Sequence, residues 1–216
     1  MSEPAAAVRI QRAGDRALLV TPGRGDCLDN IVGRVRSGGL AGVQDVLPAA
    51  ETVLITLEAS AEPTAVGLAL RDLITRSPDT ESGSGAAATD EVVIPVRYDG
   101  ADLDDVAELL GVSVDEVIAR HTGYVWRCRF IGFTAGFGYL AAAGAGLTVP
   151  RRRQSRTAVP PGAIGLADGY SAIYPRRAPG GWQLIGSTEA SMWDVNRDRP
   201  ALLSAGTRVR FARVET

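Results

Sequence analysis

The chain has 216 residues, 45% of them hydrophobic and 22% charged, which fits one large domain or two small ones and excludes disordered and collagen-like classes. All 23 basic residues are arginine, which removes Schiff-base catalysis, a pyridoxal-phosphate lysine and the lysine of a Walker loop. The net charge of −2 hides a polarity: residues 1–119 hold 9 arginines against 20 acids, residues 120–216 hold 14 against 5.

In chain order, 8–12 and 16–20 read as a short hairpin, and 27–38 as a helix with Asp26 at its N-cap and Gly38-Gly39 at its stop. VQDVL at 43–47 and TVLITLE at 52–58 read as strands, the second rich in β-branched residues. Pro63 opens a helix through Arg76, proline being best tolerated in a first turn. Residues 77–90, small, polar and unpatterned, read as a linker between a domain at 1–76 and another at 91–216. EVVIPVRYDG is a strand ending in a turn, followed by two short helices, the second with Ser113 and Glu116 as a capping box and His121 near its end. From YVWRCRF at 124–130 to TRVRFARV at 207–214, short β segments alternate with Gly and Pro, the texture of a barrel or sandwich. The fold expected is therefore α+β: a small α/β domain, then a β-rich one.

Other classes drop out on particular residues. Cys27 and Cys128 form neither a disulfide framework nor a CxxC pair, and His121 is the single histidine, so no metal site is expected. The N-terminus lacks a secretory signal and no apolar run is long enough to span a bilayer, which points to the cytoplasm and to no membrane partner. With negative net charge and 6% aromatics, no nucleic-acid partner is expected. The charge polarity suits halves that attract each other, a dimer, or a basic region receiving a small acidic ligand.

Three segments carry possible chemistry. Gly132 to Gly138 do not spell a dinucleotide fingerprint; glycines beside Phe137 and Tyr139 suit either a pocket wall or a packed barrel corner. Arg151, Arg152, Arg153 and Arg156, between Pro150 and Val159-Pro160-Pro161-Gly162, suit either a solvated face or a carboxylate or phosphate clamp, with Arg176-Arg177 as a second basic cluster. His121 suits a cap, a packing residue or a proton carrier near neutral pH, and Gln183 a strand edge or an amide that orients a ligand.

HTGYVWRCRFIGFTAGFGYL, PRRRQSR, VPPGAIGLA, IYPRRAPGGWQLIGST and LLSAGTRVRF together resemble one known family, over about residues 91–213. Its members go by allophanate hydrolase subunit 1, the B subunit of 5-oxoprolinase, or sporulation-kinase inhibitor. The resemblance implies a cyclophilin-like β-barrel after the small N-terminal domain, and a larger cyclophilin-like partner subunit. It also implies ATP as co-substrate in converting 5-oxoproline to glutamate; other branches act on allophanate or inhibit a sensor histidine kinase. His121, Phe137, Tyr139, Arg151, Arg152, Arg156 and Gln183 fit the family pattern. Ala135, Ser155, Asp168 and Tyr170 depart from it, Tyr170 standing where an amide is usual. The roles expected are Arg151 and Arg156 holding a carboxylate or phosphoryl group, His121 and Gln183 positioning or protonating the lactam, Phe137 and Tyr139 excluding water, and Tyr170 contacting substrate.

Overall fold

The computed structural model describes residues 7–23, 28–76 and 91–215. The expected N-cap Asp26, Cys27 and the linker at 77–90 lie outside them. The chain divides into two compact units, residues 1–87 and 88–216.

In the first unit, β1 (Arg9–Arg12), β2 (Ala17–Thr21), β3 (Val43–Pro48) and β4 (Val53–Leu57) form an antiparallel sheet in the order β1-β2-β4-β3. Helices α1 (Leu28–Ser37) and α2 (Pro63–Arg76) pack on it. The strand period of two sends Leu18, Val20, Val53, Ile55 and Leu57 into the core, while Val66, Leu70 and Ile74, four residues apart, line the inner face of α2. Burying each of these side chains contributes roughly 1.5–3 kcal/mol. Proline does open α2.

In the second unit, β5 (Val92–Val96) leads into α3 (Leu103–Leu110) and α4 (Val114–Gly123), where Glu116 N–H donates to Ser113 Oγ at 3.2 Å as the capping signature requires. The strands that follow are β6 (Trp126–Ile131), β7 (Gly138–Ala141), β8 (Arg156–Val159), β9 (Ala163–Ala167), β10 (Tyr170–Ile173), β11 (Ala178–Gly180), β12 (Gln183–Ser187) and β13 (Arg208–Arg213). Seven strands of the unit form one sheet in the order β12-β9-β10-β7-β6-β13-β5. Its two ends meet: Arg97 N–H donates to Ser187 O at 2.9 Å and Ser187 N–H to Arg97 O at 2.8 Å. The sheet thus closes toward the expected barrel, and β8 with β11 forms a separate ribbon. The α+β architecture expected from the sequence is present. Trp126, Leu140, Ile164, Ile185 and Phe211 fill the barrel core. Among the described residues, no helix is long and apolar enough to cross a membrane.

Closure needs close backbone approach. A Cβ at Gly100 would fall on the main chain of Leu184, Ile185 and Gly186, which cannot move aside as a side chain tip can. Replacing Gly100 by Ala is expected to cost about 3 kcal/mol, the upper range for overpacking. Gly33, exposed on α1 with nothing near its would-be Cβ, is the opposite case, and Gly33→Ala is expected to stabilise by up to ~1 kcal/mol. Urea unfolding midpoints of the two variants should move in opposite directions.

Candidate functional site

Asp102 precedes α3 at the N-cap position, yet its carboxylate makes no capping hydrogen bond. The side chain, 2% exposed, turns inward: Oδ2 accepts from Leu184 N–H at 2.7 Å, and Oδ1 accepts from Arg156 Nη2 at 2.7 Å and from Arg152 Nη1. Asp102 N–H also donates to Leu184 O at 2.9 Å, so this one residue pairs with β12 through both backbone and side chain. One carboxylate is matched by two guanidinium groups, leaving a surplus positive charge. Arg152 Nε and Arg156 Nη1 are buried with no hydrogen-bond partner.

The segment around the arginines is bolted to the start of β12. Arg152 N–H donates to Gly181 O at 2.7 Å, and Gln183 Nε2 donates to Pro150 O at 3.2 Å. The glycines of the PGGW motif make room for this: a Cβ on Gly180 would strike the Tyr174 hydroxyl, and one on Gly181 would meet Ser155 Oγ at 2.9 Å. Gln183 is 5% exposed and its Oε1 has no partner. Beside it opens a cleft of about 590 Å³ lined by Asp105, Glu108 and Leu109 of α3 and by Arg152, Arg153, Gln154 and Gln183. Acidic and basic side chains thus line one space, with an amide oxygen unmatched at its edge. The arrangement can hold a small polar molecule that offers both a hydrogen-bond donor and a negative charge.

The residues singled out from sequence are not all gathered there. Gln183 lines the cleft, whereas Arg156 is not among the lining residues and pairs with Asp102. Arg151 points elsewhere, in an exposed pair with Asp168 at 3.2 Å, and Arg176 and Arg177 are exposed and absent from the cleft lining. Phe137, Tyr139 and Tyr170 meet each other in a second group, with ring centroids 5.1 Å apart for Phe137 and Tyr139 and 5.8 Å for Tyr139 and Tyr170. Trp182 packs edge-on against both Phe137 and Tyr139, so this layer backs the strand that carries Gln183. Burial raises the pKa of the Tyr139 hydroxyl, while the nearby Arg151 charge opposes that rise.

His121 lies in the barrel core, fully buried, and the structure does not bring it to the cleft. Its ring stacks on Phe211 at 4.1 Å, Nδ1 is 2.8 Å from the Tyr98 hydroxyl, and Nε2 is 2.9 Å from the Ser171 hydroxyl. Trp126 Nε1 donates to its backbone oxygen at 2.9 Å. Burial pushes the imidazole pKa down from 6.5 to about 3, so it is neutral near pH 7. The residue that sequence reasoning missed is Asp102, whose position before a helix reads as an ordinary cap.

Two expectations follow from these contacts. Asp102→Asn leaves both guanidinium groups without an anion and is expected to cost about 3 kcal/mol, the lower end for a buried ion pair that loses one partner. Arg151→Ala, which breaks only an exposed pair, should change stability by less than ~1 kcal/mol. Chemical denaturation of the two variants side by side checks the contrast. For His121, a folded-state pKa below the unfolded value means that the unfolded chain binds the proton more readily. Its contribution is therefore complete above pH 6.5 and is lost as pH falls toward 3, at no more than ~1.4 kcal/mol per pH unit. Unfolding free energies measured from pH 7.5 to 4.5 should fall more steeply for the native chain than for His121→Gln.

The family model described as carboxyltransferase domain, subdomain C and D, matches residues 8–203. A Haemophilus influenzae protein named as the B subunit of 5-oxoprolinase is 42% identical over 123 residues, which is 56% of this chain and 58% of that protein. The chain spans about half the length of the curated relatives it matches. The crystal structure of TTHA0988 superposes with a TM-score of 0.73 at 31% identity, over 93% of this chain and 40% of that one. The K. lactis urea amidolyase superposes with a TM-score of 0.69 at 19% identity over 96% of this chain and 15% of its own, a likeness of fold alone. On the match across residues 8–203, supported by identity and shape, this chain belongs to the family of carboxyltransferase domains, subdomain C and D.

Proposed function

We propose that this chain is the smaller subunit of an ATP-dependent 5-oxoprolinase-type amidohydrolase of the cytoplasm, acting with a larger cyclophilin-like partner subunit to convert 5-oxoproline and ATP to glutamate, ADP and phosphate. The observation that carries this reading is the 42% identity to a protein named as the B subunit of 5-oxoprolinase. The cleft beside Gln183 supports it, because a lactam acid carries both an N–H and a carboxylate.

In this reading the surplus positive charge of Arg152 and Arg156 on Asp102 draws the substrate carboxylate, while Gln183 orients the ring amide. Arg151, paired with Asp168, steers acids toward the rim without gripping them. Phe137, Tyr139 and Tyr170, packed behind Trp182, keep water out of that wall. His121 acts by tying α4 to β10 through Ser171, and the proton for the opening ring comes from another group. Resonance makes the lactam carbonyl a poor electrophile, and ATP supplies the activation when bound. With no lysine and hence no Walker loop in this chain, we assign the nucleotide to the partner subunit.

The partner has a suitable landing place. Phe133 is 59% exposed although its backbone sits at φ +63°, a conformation unfavourable for a bulky residue. Its loop packs on Trp193, itself 41% exposed, through Gly136, whose Cβ would lie 3.0 Å from the Trp193 Cβ. An exposed ring held at a backbone cost fits a contact made in the complex. The test is reconstitution of the chain with the larger subunit, followed by assay of phosphate release. Release should depend on 5-oxoproline, and Phe133→Asn, which suits a positive φ, should weaken association tenfold or more with an unchanged melting temperature. Absence of substrate-dependent release from an assembled complex would refute the assignment.

A further inference from the structure

The sheet of the first unit has two faces, and its helices account for only one. Val20, Val46, Val53 and Ile55 share a core with Val66 and Leu70 of α2. When an antiparallel sheet packs its helices on one side, the opposite side ordinarily reads polar. Here the opposite side is apolar at its centre. The register sets Leu19 beside Leu54 and Leu54 beside Leu47, so leucines of three strands form one row, which Gln11 of β1 completes. Leu47 is 45% exposed, and Leu19 and Leu54 are half-buried. A contiguous apolar row on an open sheet face is the mark of a contact surface.

The charges around this row are placed antisymmetrically. Arg9, exposed on edge strand β1, pairs with Thr21, two residues past Leu19. Asp45, exposed on the opposite edge strand β3, pairs with Thr56, two residues past Leu54. Because β2 and β4 run antiparallel, those steps lead to opposite ends of the face, and Arg9 and Asp45 occupy diagonal corners. With strands about 4.8 Å apart and a rise of about 3.4 Å per residue, each corner lies roughly 7 Å from the centre both across and along the strands. A two-fold axis in the plane of the face, set diagonally to the strands, exchanges those two directions. It lays Arg9 of each copy over Asp45 of the other and crosses the strands at about 90°, the orthogonal mode of sheet packing.

We propose that this face pairs the chain with a second copy of itself, through Leu19, Leu47 and Leu54 at the centre and two symmetric Arg9–Asp45 contacts at the corners. An isologous interface needs both halves of every contact on one surface, and this face carries them. The footprint is modest: four strands by five residues cover roughly 300 Å², against about 800 Å² per partner in a standard complex. The dimer is therefore reversible, with a dissociation constant on the order of 10–100 μM. It uses none of the residues assigned above to the substrate or to the larger subunit, and it stands independently of the enzymatic reading.

The experiment is sedimentation equilibrium of the full chain alone, from about 1 to 500 μM, a range that brackets that constant. The native chain should show a monomer–dimer equilibrium. Leu54→Asp, which sets two carboxylates into the leucine contact, should weaken it about 100-fold or more. Arg9→Asp and Asp45→Arg should each weaken it about 3- to 30-fold, and the two together should return it to within about threefold of the native value. Both positions are exposed, so the charge exchange is decisive even if Leu54→Asp does not fold. Phe133→Asn should leave the equilibrium unchanged. A chain that stays monomeric at the highest concentration overturns the proposal, as does a dimer that folded Leu54→Asp leaves intact or that Phe133→Asn dissolves. Failure of the double exchange to recover what the single ones lose overturns the crossed pairing. Loss of larger-subunit binding in Leu54→Asp, by a chain that never dimerises, would give the face to that subunit instead. No readout here depends on turnover of 5-oxoproline, so the dimer and the enzymatic assignment stand or fall separately.

Discussion

A buried carboxylate is tolerated only when its lost hydration is replaced, and Asp102 replaces it with three donors: a backbone N–H of β12 and the guanidinium groups of Arg152 and Arg156. Because its own N–H bonds to Leu184 O, the residue serves β12 as a neighbouring strand would, at the seam where the barrel sheet meets itself. Gly100 allows that approach, and Arg152 carries the arginine segment onto the same point. The arginine segment is thus tied to the barrel seam through one buried side chain.

The start of β12 divides the neighbourhood by the strand's period of two. Trp182 and Leu184 join the cluster that includes Phe137 and Tyr174, whereas Ile185 joins the barrel core. Gln183 opens the strand, and the cleft lined by Asp105, Glu108 and Leu109 of α3 lies beside it. An amide at that position has its nitrogen held by Pro150 and its oxygen buried without a partner. Behind it, Trp182 packs edge-on against Phe137 and Tyr139, so an aromatic layer backs the strand that carries Gln183. Site precision of this kind comes from packing behind the binding face rather than from the face itself.

Local signals made much of the fold legible. Pro63, the Ser113–Glu116 cap and the alternation in β4 each depend on a few adjacent residues. Long-range partners had no such signal. Asp102 looks like a cap because every Asp before a helix does, and only the fold reveals that its carboxylate is spent 50 and 54 residues away. In RRRQSR, no regular period assigns faces, so the sequence offers no way to tell that Arg151 pairs outward with Asp168 while Arg152 and Arg156 turn in. His121 presented the same ambiguity: a lone imidazole reads equally as packing or chemistry, and its complete burial against Phe211 depends on a strand about 90 residues later.

The charge polarity is explained the same way. The division at residue 119 cuts through the barrel unit, assigning Glu91, Asp102 and the acids of α3 and α4 to one side and the arginines that pair with several of them to the other. Counted over 91–216 the unit holds 15 arginines against 13 acids, nearly balanced, and 1–90 holds 8 against 12. Many of those charges are settled locally: Arg208 and Arg210 on Glu91, Arg97 on Glu189, Arg120 on Glu116 and Arg213 near Asp115. A global attraction between halves is then unnecessary to account for the pattern. What distinguishes Arg152 and Arg156 from the other pairs is the buried carboxylate they share. Exposed pairs are screened and exchange with water, but here two half-buried guanidinium groups share one carboxylate that is only 2% exposed. In the proposed reading it is that shared carboxylate with its two arginines, not the overall arginine count, that draws an acid.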